Sequence, residues 1–113
     1  MTDSIYPDLI KNLPDADIPY KGVRGKILQG ENHQVIFFDI DPIGEVPAHT
    51  HGEQWGIVIE GEMHLIIGGE KKILTKGDRY HIPKGVVHSA VFKTRFFAVD
   101  IFEDKDRYKP RKK

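Results

Sequence analysis

The chain has 113 residues, 39% hydrophobic and 30% charged, with 17 basic and 17 acidic side chains and no cysteine. That size suits one domain with a modest core, so either the core is efficient or a second copy of the chain covers part of its apolar surface. The cancelled charge removes any whole-molecule electrostatic reason to bind nucleic acid or an anionic membrane, and the missing cysteine excludes disulfides, thiolate metal ligands and cysteine nucleophiles.

Residues 1–20 carry Pro7, Pro14 and Pro19 among acidic residues and allow at most one helical turn around Asp8 to Asn12. They read as an arm leading into the domain, of a kind that packs on a partner subunit. Met1 to Ile10 lacks a basic segment followed by an apolar one. The longest apolar runs, such as Ile57-Val58-Ile59 and Leu65-Ile66-Ile67, are too short to span a bilayer, so a cytoplasmic location is expected.

Residues 21–103 alternate short β-branched and aromatic runs with glycine-containing turns, the pattern of an all-β sandwich or barrel. Strands are predicted over Gly22 to Leu28, Gln34 to Ile40, Val46 to His51, Gln54 to Glu60, Glu62 to Ile67, Lys72 to Leu74, Arg79 to Ile82, His88 to Phe92 and Arg95 to Phe102. The turns at Gly61, Gly68-Gly69 and Gly77 supply the positive φ that tight connections need. Residues 104–113 are almost wholly charged and read as a solvated tail with a fraying end. The small size, the proline-containing arm and the strand edges of such a barrel together predict a homodimer.

Two segments carry chemistry: Gly44 to Gly61, and Gly77 to His88. Residues two apart on a strand share a face, so His49 and His51 can offer both imidazoles to one point. One strand cannot surround an ion, and Gln54 and His88 lie on segments that a barrel could bring to the same place. Nitrogen and amide donors of this kind suit one divalent ion of zinc, nickel, manganese, iron or copper. A His-x-His pair alone is weak evidence, because such pairs are more often simply hydrogen-bonded at a surface.

The two segments together resemble the paired motifs of the cupin superfamily, and of its small single-domain members in particular. The second motif is met by Gly77, Pro83, Gly85 and His88, and the first by Gly44, His49, His51, Gln54 and Gly61. The resemblance implies an all-β, double-stranded β-helix (jelly-roll) barrel and a metal held by His49, His51, Gln54 and His88. Between Gly44 and His49 there is one residue fewer than the family usually has, and Gln54 stands where the family often has glutamate. Glu53 is a rival ligand on strand parity, but the Gly52 turn breaks that parity and the spacing from Gln54 to Gly61 matches the family's. Three imidazoles and an amide leave the ion's charge uncompensated, which makes it a stronger Lewis acid and a weaker guest.

His33 and His64 are expected to face solvent. His81, on the strand that leads to His88, is a candidate proton carrier, although packing is the plainer explanation. Asp100 is a lone carboxylate in the apolar stretch Phe96 to Phe102, where an outward position is the plain expectation. The stretch also resembles the Asp-x-Phe ending of many small cupins, including enzymes that linearise cyclic unsaturated uronates. That resemblance implies that Asp100 moves a proton beside the metal while Phe102 shapes the pocket. The family's following Pro-Pro-Arg is replaced here by Glu103 to Arg107, which counts against that particular substrate. Trp55, Tyr80, Phe92 and Phe97 read as core or interface residues.

These features favour an enzyme of isomerase or lyase type acting on a small sugar or carboxylic acid. The alternatives are a metal-dependent dioxygenase and a non-catalytic module that binds a sugar or metal. Modules of the last kind sit beside DNA-binding domains, and no helix-turn-helix pattern accompanies this barrel.

Overall fold

The computed structural model describes residues 4–111. One helical turn, α1 (Asp8–Lys11), precedes eleven strands: β1 (Ala16–Asp17), β2 (Val23–Gln29), β3 (Gln34–Ile40), β4 (Val46–His49), β5 (Gln54–Glu60), β6 (Met63–Ile67), β7 (Glu70–Leu74), β8 (Arg79–Ile82), β9 (His88–Phe92), β10 (Phe96–Phe102) and β11 (Lys109–Pro110). Two antiparallel sheets, ordered β2-β3-β10-β5-β8 and β4-β9-β6-β7, face each other across the core, and β1-β11 forms a small third sheet. This is the expected all-β jelly roll. Among the described residues no helix is long and apolar enough to cross a membrane.

Side-chain alternation builds the two layers. Along β3, Gln34, Ile36, Phe38 and Ile40 are buried, while Val35, Phe37 and Asp39 face outward. The inner residues join Ile27, Val58, Leu65, Ile82, Phe92, Phe96 and Phe102 in one core cluster. Gly61, Gly68, Gly69 and Gly77 all have positive φ, as the turn chemistry predicts.

Both ends of the chain depart from the sequence reading. The arm lies on its own barrel: the Tyr6 ring meets Phe37 and Phe97 edge-on, and its hydroxyl sits 2.7 Å from the Phe38 carbonyl oxygen. The tail is anchored rather than solvated. Tyr108 is buried against Phe38 and Phe102, and Gln34 bonds both its backbone groups, donating to the carbonyl at 2.6 Å and accepting from the N–H at 3.0 Å. A buried amide that satisfies two backbone groups at once replaces a missing strand partner. Charge density along residues 104–113 conceals this, because one buried ring outweighs several solvated neighbours.

Candidate metal centre

His49 ends β4, and His88 stands opposite it at the start of β9. A register shift between Val46 and His49 adds one residue to β4, so both of those side chains point inward although they are three apart. His51 follows beyond the strand end, which stops at His49 rather than at His51 as predicted. Gly52 then turns the chain: its N–H donates to the Asp104 carboxylate at 2.9 Å, and a Cβ there would lie 2.4 Å from Asp104 Oδ1.

One ring nitrogen from each of His49, His51 and His88 lies within 4.8 Å of the others. In each imidazole Nδ1 faces a backbone carbonyl, of Pro47 at 2.8 Å, Gly52 at 2.7 Å and Val86 at 3.0 Å. A carbonyl can only accept, so each Nδ1 must donate. The lone pair of each ring is therefore on Nε2. Burial is the first cause that holds all three below the usual histidine range; the positive charge of Arg107 adds to it in each, after His49 in the case of His88, and His51 is pulled down to about 4. The three rings are neutral at pH 7, the state in which imidazole binds a metal.

Gln54 lines the same interior cavity of about 80 Å³, together with the three histidines, Tyr80, Asp100 and Phe102. Its Nε2 donates to Asp100 Oδ2 at 2.6 Å, so its other amide atom, Oε1, is the donor left for an ion. Glu53 is exposed and bonds His81 at 2.5 Å on the outside of the barrel. His81 is not brought to the centre, because on β8 Tyr80 and Ile82 are buried and Arg79 and His81 are not. His33 is exposed, and His64 bonds Glu62 at 2.6 Å away from the centre.

Asp100 does not face solvent, as its isolation in an apolar stretch suggested; it is 1% exposed. Tyr80 donates its hydroxyl to the carboxylate, 2.7 Å from Oδ1 and 2.8 Å from Oδ2. Asp100 and Tyr80 stand on either side of Gly56 in the sheet, on β10 and β8. A Cβ on Gly56 would lie 2.4 Å from the Tyr80 ring and 2.6 Å from Asp100 Oδ2, so the bond exists because that position is glycine. Burial pushes the Asp100 carboxyl up to about 7, against the opposing hydrogen bonds of Gln54 and Tyr80. A carboxyl near 7 both holds and releases a proton at neutral pH.

Two members of this site escaped the sequence reading. Tyr80 shares the parity of Ile82, a signal that places it inside but not against Asp100. Arg107 lies with its guanidinium 4.9 Å above the Tyr108 ring, and its buried Nε has no hydrogen-bond partner among the described residues. In a charged tail, nothing marks it out.

The cupin domain family matches residues 36–102. The chain is similar to an RmlC-like cupin from Shewanella frigidimarina NCIMB 400, with 28% identity, 79% of this chain and 82% of that one covered, and a TM-score of 0.71. It is also similar to KdgF from Halomonas sp., with 24% identity, 87% and 89% covered, and a TM-score of 0.69. Salicylate 1,2-dioxygenase from Pseudoaminobacter salicylatoxidans shares 19% identity over 76% of this chain and 26% of its own, with a TM-score of 0.69. At these identities the last two show a common fold. No curated protein matches the chain.

Proposed function

This chain belongs to the cupin domain family, and on that premise we propose that it is a metal-dependent enzyme of isomerase or lyase type acting on a small sugar acid or other carboxylic acid. The observation that carries this reading is a buried carboxyl, Asp100, in the same cavity as three neutral imidazoles. Nε2 of His49, His51 and His88 and Oε1 of Gln54 would hold one divalent ion of zinc, nickel, manganese, iron or copper. Such an ion supplies Lewis acidity toward a substrate oxygen.

The remaining work falls to the chain itself. In an isomerisation Asp100 takes a proton from one substrate carbon and returns it at another atom; in an elimination it takes the proton from carbon and gives it to the oxygen that departs as the neighbouring C–O bond breaks, and neither needs a redox partner. Tyr80 fixes the carboxylate through its hydroxyl, and Gln54 ties it to the ligand set. Phe92, Phe102 and Val46 wall the cavity with apolar surface. The positive charge of Arg107, felt by all three histidines, favours an anionic substrate.

The first test is metal content by mass spectrometry of the untagged protein and of a His49→Ala/His88→Ala variant. Near-stoichiometric metal lost in the variant is expected. Keto and unsaturated sugar acids are then incubated in deuterated water and followed by NMR, with exchange expected in the wild type and lost in Asp100→Asn with its metal retained. Oxygen uptake without exchange would give the site to dioxygenase chemistry instead. Metal binding with neither would leave a binding module.

A further inference from the structure

We propose that Asp104 is a positioning residue of the metal centre, whose carboxylate fixes the turn at Gly52 so that the His51 ring presents Nε2 to the cavity. The proposal rests on the reading that the three imidazoles hold an ion, and it gives the C-terminal segment of the chain a part in that centre.

His51 is the histidine with the least support from a strand. His49 closes β4 and His88 opens β9, and the two are paired with each other in the sheet. His51 stands past the end of β4, in the short connection to β5. A ligand on a connection is held only as well as the groups packed on that connection hold it.

Three successive residues there are tied down. The His51 carbonyl accepts from the Gly85 N–H at 3.0 Å, the Gly52 N–H donates to Asp104 Oδ2 at 2.9 Å, and the Glu53 carbonyl accepts from the Glu103 N–H at 2.9 Å. Glu103 and Asp104, which supply two of these bonds, follow directly on Phe102 at the end of β10. Only the bond from Asp104 is made by a side chain, and its acceptor is a carboxylate, which makes it the strongest kind of acceptor for a backbone N–H.

Gly52 is also the residue that orients the ring. His49 and His88 each set Nδ1 against the carbonyl two residues earlier, a contact within their own segment. His51 sets Nδ1 against the carbonyl of the residue after it, Gly52, and so depends on which way the following turn runs. That carbonyl keeps the proton on Nδ1 and the lone pair on Nε2. Asp104 thus fixes the residue that fixes the ring. Gly52 is buried, and a Cβ there would strike both Asp104 and Glu103, so the close approach of the carboxylate requires glycine at this position.

Asp104 is itself held in place. Gln29 donates to the Lys105 carbonyl at 2.8 Å, and Gln34 bonds both backbone groups of Tyr108. None of the ion pairs among the described residues includes Asp104, so no cation draws its carboxylate away from Gly52. The charged segment after β10 fastens along the rim of the barrel and brings this one acceptor to the turn that carries His51.

The test compares the full chain, stripped of metal, as wild type, Asp104→Ala, Asp104→Asn and Gln29→Ala. Zinc and nickel affinities are measured by competition with a chromophoric chelator. Asp104→Ala should bind about 10- to 100-fold more weakly, the range found when the outer partner of a metal ligand is removed. Asp104→Asn keeps an oxygen that accepts from the Gly52 N–H and should recover most of that loss. Gln29→Ala loosens the same segment at Lys105 without touching Gly52, and should bind as the wild type does.

Nitrogen-15 NMR of the imidazoles at pH 8, without metal, reads the ring itself. His51 should carry its proton on Nδ1 in the wild type, and in Asp104→Ala its two nitrogens should average toward the mixture of a free ring, with His49 and His88 unchanged. Wild-type affinity in Asp104→Ala overturns the proposal, as does an equal loss in Gln29→Ala or a His51 ring that stays fixed without Asp104. A wild-type His51 protonated on Nε2 overturns it with no variant at all. A wild type that takes up neither ion and holds none by mass spectrometry sinks the reading of the centre instead, while the NMR comparison still decides whether Asp104 governs His51.

Discussion

Asp100 and Asp39 lie on adjacent strands of one sheet, β10 and β3, and environment drives their chemistry in opposite directions. Asp100 points into the barrel, where its partners are a phenol and an amide, and burial lifts it to about 7. Asp39 points outward into two guanidinium groups, with Arg95 donating at 2.8 and 3.0 Å and Arg24 at 3.1 Å. Burial pushes Asp39 up as well, but the bonds from Arg95 and Arg24 outweigh it and hold the carboxyl below its ordinary value. A carboxylate bonded to two cations is structural. One that is dry and bonded only by neutral donors keeps a proton within reach of neutral pH.

Exchanging each carboxyl for its amide separates the two roles. Asp100→Asn should lower turnover by roughly 10² to 10⁴ while urea unfolding at pH 8 shows stability unchanged or raised, since no charge is left buried. Loss of metal or of folded protein in that variant would make Asp100 structural and erase the contrast. Gly56→Ala strikes the inner site through its packing. The added methyl must displace the Tyr80 ring or Asp100, and a loss of about 2 to 3 kcal/mol in urea unfolding is expected, together with lowered activity.

Asp39→Asn removes the carboxylate that Arg95 and Arg24 share, while Arg24 keeps Asp41, and should cost about 1 kcal/mol, with turnover and metal content unaltered. The smallest effects lie in the pH dependence of stability, measured on metal-stripped protein from roughly pH 3 to 8. Asp39 has a lowered folded value, so its contribution is present above 3.8 and is lost as pH falls through the folded value. The Asp39→Asn curve should therefore fall less steeply on its acid side. Asp100 has a raised folded value, so its contribution is full below 3.8 and is lost as pH rises toward about 7. The Asp100→Asn curve should be flatter over that interval.

The strands were legible in the sequence because their signals are local, and the three histidines because two spaced motifs resemble those of the family. Period-two alternation gave Gln34–Ile40, Gln54–Glu60, Arg79–Ile82 and His88–Phe92 with their observed bounds, and glycine marked the turns. His81 was misleading in the same terms. Proximity to His88 along the chain suggested the centre, whereas the parity of β8 sends its side chain outside. The anchoring of Tyr108 by Gln34 joins residues 74 apart, and no pattern in either segment announces it.

What the sequence determined by itself is the all-β class, the strand order along the chain, and the pair His49 and His51, since spacing and side-chain type act within a few residues, while His88 was reached through the resemblance of its motif. What only the tertiary structure decided is which side of each wall a group occupies and what it touches there. Asp100 becomes a buried acid because β5 lies between β10 and β8 and offers Gly56 at the crossing point. The proton affinity of a carboxyl depends on neighbours that arrive from distant strands, and those are fixed by register in the sheet rather than by position in the chain.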